Sequence, residues 1–288
     1  MESLYRLVGL SRQAYHQGLD KAQKRQDQTQ MILDQVRVLR KDHPRMGARE
    51  VYKQFSQDPL KRLLLKGIGR DKFEHILFEA GLKLRKARAK HRTTYSVQAG
   101  YENLVAGAQV QASNQIWMSD ITYFTIADRF VYITDIIDFY SRRCLGLVWG
   151  RTLEAESTVI PAIKMAFNIR KGQALEQCIF HADGGGQYID KGFLKLIKNN
   201  DMRLSRAESC YENPFIEKFH DIVKNHYLIP WKVDSESLLD LALNRFMNLY
   251  NFDRPHGSLG GMTPAAFEAM ALKMPEKRRK TMCIKSIT

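Results

Sequence analysis

The chain has 288 residues, enough for about two domains, and its 44% hydrophobic and 10% aromatic content supports a packed core and excludes a low-complexity protein. The net charge of +14 is lopsided: residues 1–100 carry 22 Lys+Arg against 10 Asp+Glu, and the rest carry 23 against 21, the footprint of a nucleic-acid-binding surface rather than of general solubility. Cys144, Cys178, Cys210 and Cys283 form no Cys-x-x-Cys pair or zinc-finger cluster, and no signal peptide or long apolar run occurs, so a soluble cytoplasmic protein is expected.

Residues 1–27 are polar and read as a leading helix. Residues 28–82 carry three helical patterns. Ile32, Val36 and Leu39 mark the first, which Pro44 ends; Val51, Tyr52 and Phe55 mark the second; Phe73, Ile76 and Leu77 mark the third, which stops near Gly81. Arg70, Lys72 and His75 fall on or near the exposed side of the third helix. Residues 83–113 form a basic arm and linker, with six Lys/Arg between Lys83 and Arg92; Arg85, Lys86, Arg88, Lys90 and Arg92 either follow DNA phosphates or solvate a connector.

A core is expected over 114–232. Residues 116–125, 130–139 and 142–150 read as three consecutive strands, with Ala127-Asp128 and Tyr140-Ser141 as turns. A helix over 152–169, a strand over 178–181, a helix over 191–198 and a strand over 203–205 follow. This order gives a mixed sheet flanked by helices. Trp117 and Trp149 read as core, and His181 as a satisfied histidine near a site. Residues 233–272 form a helical extension rich in leucine, and 273–288 a basic tail expected to be disordered. Arg254-Pro255-His256 is a turn that either fixes the preceding helix or touches DNA.

Three acids stand in special contexts. Asp120, in Trp117-Met118-Ser119-Asp120, lies inside the first strand, where a lone carboxylate is costly unless paired or bound to metal. Asp183, in His181-Ala182-Asp183-Gly184-Gly185-Gly186-Gln187-Tyr188, precedes glycines that permit a sharp turn and close approach. Glu217, in Tyr211-Glu212-Asn213-Pro214-Phe215-Ile216-Glu217, opens a helix that Pro214 starts and Asn213 caps; Glu212 falls in the loop before it. Lys224, seven residues on, is expected two turns along the same face, within reach of a phosphate. Asp135 and Asp138 are rival acids, and Asp138 reads more simply as a turn residue. A triad of acids offers the oxygen ligands that hard cations want. Two such cations ~3.5–4 Å apart can activate a nucleophile and stabilise the leaving oxygen of an in-line displacement.

These motifs, with Tyr250-Asn251-Phe252-Asp253-Arg254-Pro255-His256-Gly257-Ser258-Leu259-Gly260-Gly261-Met262-Thr263-Pro264, resemble the DDE transposases of the retroviral-integrase superfamily. More narrowly, the chain resembles, over nearly its whole length, the second-reading-frame protein of the insertion-sequence-three group of bacterial transposases. It departs in two places: 33 residues lie between Asp183 and Glu217, two fewer than is usual, and Gly184 stands where a basic residue is common.

The resemblance implies an α/β fold, a ribonuclease-H-like mixed-sheet core preceded by an all-α helix-turn-helix module. It implies Asp120, Asp183 and Glu217 as catalytic, metal-ligating residues for two Mg²⁺ ions, with Mn²⁺ able to substitute. DNA contacts are expected from Lys224, Arg70, Lys72, Arg85, Lys86, Arg88, Lys90 and Arg92. The implied partners are double-stranded DNA, as transposon ends and target, other copies of the chain assembled on DNA, and a first-frame DNA-binding protein; no membrane is involved, and the implied location is the bacterial nucleoid. The alternative is a catalytically silent, transposase-derived DNA-binding regulator. A ribonuclease acting on RNA–DNA hybrids shares fold and metals, but the 250–264 signature and the N-terminal helices argue against it.

Overall fold

A computed structural model of the protein describes residues 11–84, 102–206 and 214–284. The chain divides into two compact units after Lys86.

The first unit is helical: α1 (Arg12–Asp42), α2 (Ala48–Gln57), α3 (Pro59–Leu64) and α4 (Arg70–Glu79). Ser11 caps α1 by accepting from the Ala14 amide, and Asp58 caps α3 ahead of Pro59. Ile32, Leu33, Val36 and Leu39 form the buried stripe of α1 and pack with Val51, Phe55, Phe73 and Leu77. Two expectations change here. Residues 12–27 of the expected leading helix run on into the first helix of the module as one 31-residue helix, because Leu19–Gln30 contains no glycine or proline; residues 1–10 lie outside the described residues. The short α3 is an additional element, and none of its side chains is buried, which is why periodicity does not announce it.

The second unit is built on a five-stranded sheet in the order β4-β3-β2-β5-β6, from β2 (Ile116–Ile126), β3 (Arg129–Asp138), β4 (Cys144–Gly150), β5 (Ile179–Ala182) and β6 (Arg203–Arg206). β3 pairs antiparallel with β2 and β4, while β5 pairs parallel with β2 and β6. Ala127 and Asp128 join β2 to β3 with φ of 45° and 61°, a two-residue turn whose twist suits the hairpin. Alternate residues fill opposite faces. Trp117 and Phe180 pack with Ile163 of α5 (Val159–Ile169) and Phe193 of α6 (Lys191–Asn199). On the other face, Phe124 and Val131 pack with Phe219 of α7 (Pro214–Asp221) and Phe246 of α8 (Glu236–Phe252). α5 lies so close to β4 that a Cβ on Gly146 would fall 2.6 Å from the Ala162 carbonyl oxygen.

The part of the expected linker that is described belongs to this unit. The Leu104 amide donates to Ser205 Oγ at 2.9 Å, and β1 (Gln109–Val110) pairs with β7 (Met282–Cys283), so the chain beyond α9 (Pro264–Leu272) is not a free tail up to Ile284. Met282 and Ile284 are buried with Val105 and Val110, which holds the ribbon in place. The expected helix over 152–169 starts later, at Val159, because the preceding residues form turns closed by the Thr158 hydroxyl on the Glu154 carbonyl. Arg254 is buried and its guanidinium donates to the Tyr227 hydroxyl at 3.1 Å, so it fixes the helix end. Among the described residues, no helix is long and apolar enough to cross a membrane.

Candidate active site

Asp120 lies in the middle of β2, the central strand. Met118 of β2 pairs with His181 of β5, so Asp183, two residues past His181 and just beyond the strand, stands in step with Asp120. The two charges feel each other. Burial pushes the Asp120 carboxyl up to about 6 and the Asp183 charge adds to the rise, against the opposing pull of His220. Asp183 is exposed, and its Oδ1 accepts from the Gly185 amide at 3.0 Å. Glu217 sits half-buried in the first turn of α7, which packs on β2. Among the described residues, no three Asp, Glu, His or Cys side chains are grouped closely enough to hold a metal ion. The two aspartates are neighbours by strand register, and among the described residues Glu217 forms no three-ligand group with them. The donor set itself fits a hard divalent cation: the acids offer only oxygen, and a cation would offset the burial and mutual repulsion of Asp120 and Asp183.

A buried polar group backs Asp120. Asp135, fully buried, is directly opposite Asp120 in the β2–β3 register. His220, in the last turn of α7 and 3% exposed, lies between them. Its Nε2 makes a short hydrogen bond to Asp135 Oδ1, and its Nδ1 is 3.6 Å from Asp120 Oδ2. Ser119 Oγ donates to the Asp135 carbonyl at 2.7 Å and lies 3.0 Å from the Tyr188 hydroxyl. Sequence reasoning missed His220. Its signals were a spacing of three from Glu217, which places both on neighbouring positions of one helix face, and a second aspartate on the adjoining strand.

Lys224 lies in a π-helical stretch, Ile222–Leu228, in which the Ile229 amide donates to the Lys224 carbonyl five residues back. Seven residues from Glu217 are thus not two α-helical turns, which corrects the expected spacing. The lysine still lies over β2: Nζ donates to Thr122 Oγ1 at 2.7 Å and sits 5.3 Å from the centre of the Tyr123 ring. In the helical unit, Arg70 is exposed and paired with Asp71 at 2.9 Å, and Lys72 is exposed. Arg85, Lys86, Arg88, Lys90 and Arg92 lie outside the described residues. A Cβ on Gly184 would fall on the Arg206 guanidinium, so a cation from β6 stands beside the glycine next to Asp183. His181 is buried with Nδ1 3.0 Å from Ser205 Oγ, and burial pushes its pKa down to about 4, so it is neutral.

Two family models, each described as an integrase core domain, match residues 110–210 and 200–264, together more than half of the chain. The chain belongs to this integrase-core family of polynucleotidyl transferases, the transposases and integrases. Within it, the similarity is to bacterial insertion-sequence proteins of the IS3 group. The chain is 26% identical over 206 residues to the insertion element IS600 uncharacterized 31 kDa protein of Shigella sonnei, covering 69% of this chain and 75% of that one. It is 28% identical over 158 residues to transposase InsF for insertion sequence IS3A of Escherichia coli, covering 54% of each, so it spans about half the length of that relative. Among solved structures, it matches a chain of the simian T-cell lymphotropic virus intasome, determined by cryo-electron microscopy with the PP2A regulatory subunit B56 gamma. The TM-score is 0.50 at 16% identity, over 82% of this chain and 78% of that one. At that identity the likeness is one of fold, the ribonuclease-H-like core.

Proposed function

We propose that this protein is a DNA transposase that cleaves and joins phosphodiester strands with Asp120, Asp183 and Glu217 as the ligands of two Mg²⁺ ions, Mn²⁺ being able to substitute. The observation that carries the reading is the register of β2 and β5, in which Asp120 on the central strand stands in step with Asp183 just past the end of its neighbour. Asp120, Asp183 and Glu217 would hold the divalent cations, which would supply activation of the attacking water or 3′-hydroxyl and stabilisation of the leaving oxygen. The protein's part is to present two carboxylates from a rigid sheet and a third from α7. Lys224, anchored on Thr122, orients a backbone phosphate. No Ser or Tyr nucleophile is required, so no covalent protein–DNA intermediate forms. The helical unit, through Arg70 and Lys72, and the arm, through Arg85, Lys86, Arg88, Lys90 and Arg92, bind double-stranded DNA, with the later helix of a helix-turn-helix in the major groove. Copies of the chain assemble on the transposon ends, and a first-frame DNA-binding protein contributes to recognising them.

The second reading is a catalytically silent regulator, favoured by the lack of a three-ligand cluster among the described residues. Both are tested by incubating the purified chain and DNA carrying the ends that flank its own gene with Mg²⁺ or Mn²⁺. Metal-dependent cleavage and strand transfer, lost in Asp120→Asn and Asp183→Asn with DNA binding retained, is the expected result. Tight binding without products, even after adding the first-frame protein, would instead support the regulator.

A further inference from the structure

We propose that His220 is a positioning residue which, clamped by Asp135, holds the Asp120 carboxylate in the orientation from which it binds the divalent cation. The inference rests on the reading of Asp120 as a metal ligand. Asp120 and Asp135 are a directly opposed cross-strand pair, and like charges in that position repel. Asp135 is fully buried, where an unpaired carboxylate is costly, and burial raises its pKa. His220 occupies the place between the two, with one ring nitrogen towards each carboxylate.

The geometry goes further than charge balance. Asp120 Oδ1 accepts from the Ile121 amide at 2.8 Å, while Oδ2 faces His220 Nδ1 across 3.6 Å, a contact longer than a hydrogen bond. The ring is itself held by its neighbours. Its Nε2 is bound to Asp135, whose carbonyl is fixed by Ser119. The adjacent Phe219 is packed edge-on against Phe246 and Tyr250 at 5.6 and 5.0 Å between centroids. A pair that served the fold alone would be complete with Asp135 and His220. Here the second ring nitrogen points to the acid that meets the solvent, whose side chain is 27% exposed. Polar groups behind metal ligands fix ligand orientation in just this way.

The test is Mn²⁺ affinity of the purified full chain, read by electron paramagnetic resonance, beside DNA affinity and single-turnover cleavage. His220→Gln keeps a donor near the Nε2 position and loses the nitrogen facing Asp120. It should weaken Mn²⁺ binding and slow cleavage by about 10- to 100-fold, with DNA affinity unchanged. His220→Asn keeps a nitrogen near the Nδ1 position and should recover most of both, although it leaves Asp135 unpaired and the fold weaker. A purely structural pair predicts the opposite order. The combined Asp135→Leu and His220→Phe variant removes the pair without stranding a buried charge, so it should fold and still lose Mn²⁺ affinity by the same factor. Wild-type Mn²⁺ affinity in His220→Gln or in the folded double variant overturns the proposal. If wild-type protein binds Mn²⁺ no better than Asp120→Asn, the metal-site reading itself fails, a distinguishable result.

Discussion

Asp135 and Asp138 lie three residues apart on β3, point to opposite faces of the sheet and are both fully buried, yet their surroundings differ in kind. Asp138 is satisfied on both oxygens: Oδ1 accepts from the Ser141 amide and hydroxyl at 2.8 and 2.9 Å, and Oδ2 accepts from the Asn114 amide at 2.7 Å. Arg170 stands 3.5 Å away and also pairs with Glu268 of α9. This network ties the end of β3 to α9 and to the residue that follows α5. Asp135 has one oxygen on His220 and the other without a hydrogen-bond partner among the described residues, and the histidine leads on to Asp120. Burial and residue type alone therefore do not separate scaffold from site. The partners do: one carboxylate ends in a closed network, the other leads to the surface.

Substitutions at the two carboxylates and their partners should have different consequences. The largest effect is expected at the outer end of the Asp135 chain. Asp120→Asn or Asp183→Asn should lower strand cleavage by about 10³-fold or more, as for residues acting as one catalytic unit, with DNA affinity unchanged. Arg170→Met strikes the scaffold side. It leaves Asp138 buried without its cation and Glu268 with only the more distant Arg143, 3.5 Å away, and should cost roughly 3–5 kcal/mol in urea denaturation, while any folded fraction keeps its cleavage rate. A loss below about 1 kcal/mol would mean that the network is not structural.

A third contrast is one of pH. The Asp120 pKa is raised by burial, so the metal-free folded protein binds a proton that the unfolded chain releases between the ordinary aspartate range and about 6. Folding stability should therefore fall as pH rises through that window. Asp120→Asn should stabilise the metal-free protein above it by on the order of 2–3 kcal/mol, from ~1.4 kcal/mol per pH unit, and the gain should vanish at acid pH. Thermal denaturation across pH checks this, and a pH-independent difference contradicts it. The smallest effect is expected at Lys224. Lys224→Ala should weaken DNA binding similarly across sequences and reduce the slope of log affinity against log salt by about 1.

Much of this was legible in the sequence because it is local. The apolar run around Trp117 and Phe130 and the Ala127-Asp128 turn mark the central hairpin, and the glycines after Asp183 mark a strand end. Asp138 reads as a turn residue because its partners lie within three positions. What was hidden depends on distant pairing. His220 meets Asp135 across 85 residues, and only the β2–β3 register and the seating of α7 bring them together. β7 finds its partner strand far back along the chain, so its short run reads as tail. The π-helical turn at Lys224 has no local signature, since its composition suits an α-helix equally well.

The role proposed for Glu217, third acid beside the two neighbouring aspartates, is tested by single-turnover cleavage of end-bearing DNA by wild type and Glu217→Gln in Mg²⁺. Products with wild type and none with the variant, at equal DNA affinity, are expected. Cleavage by Glu217→Gln at the wild-type rate would contradict it and assign the third position to another group.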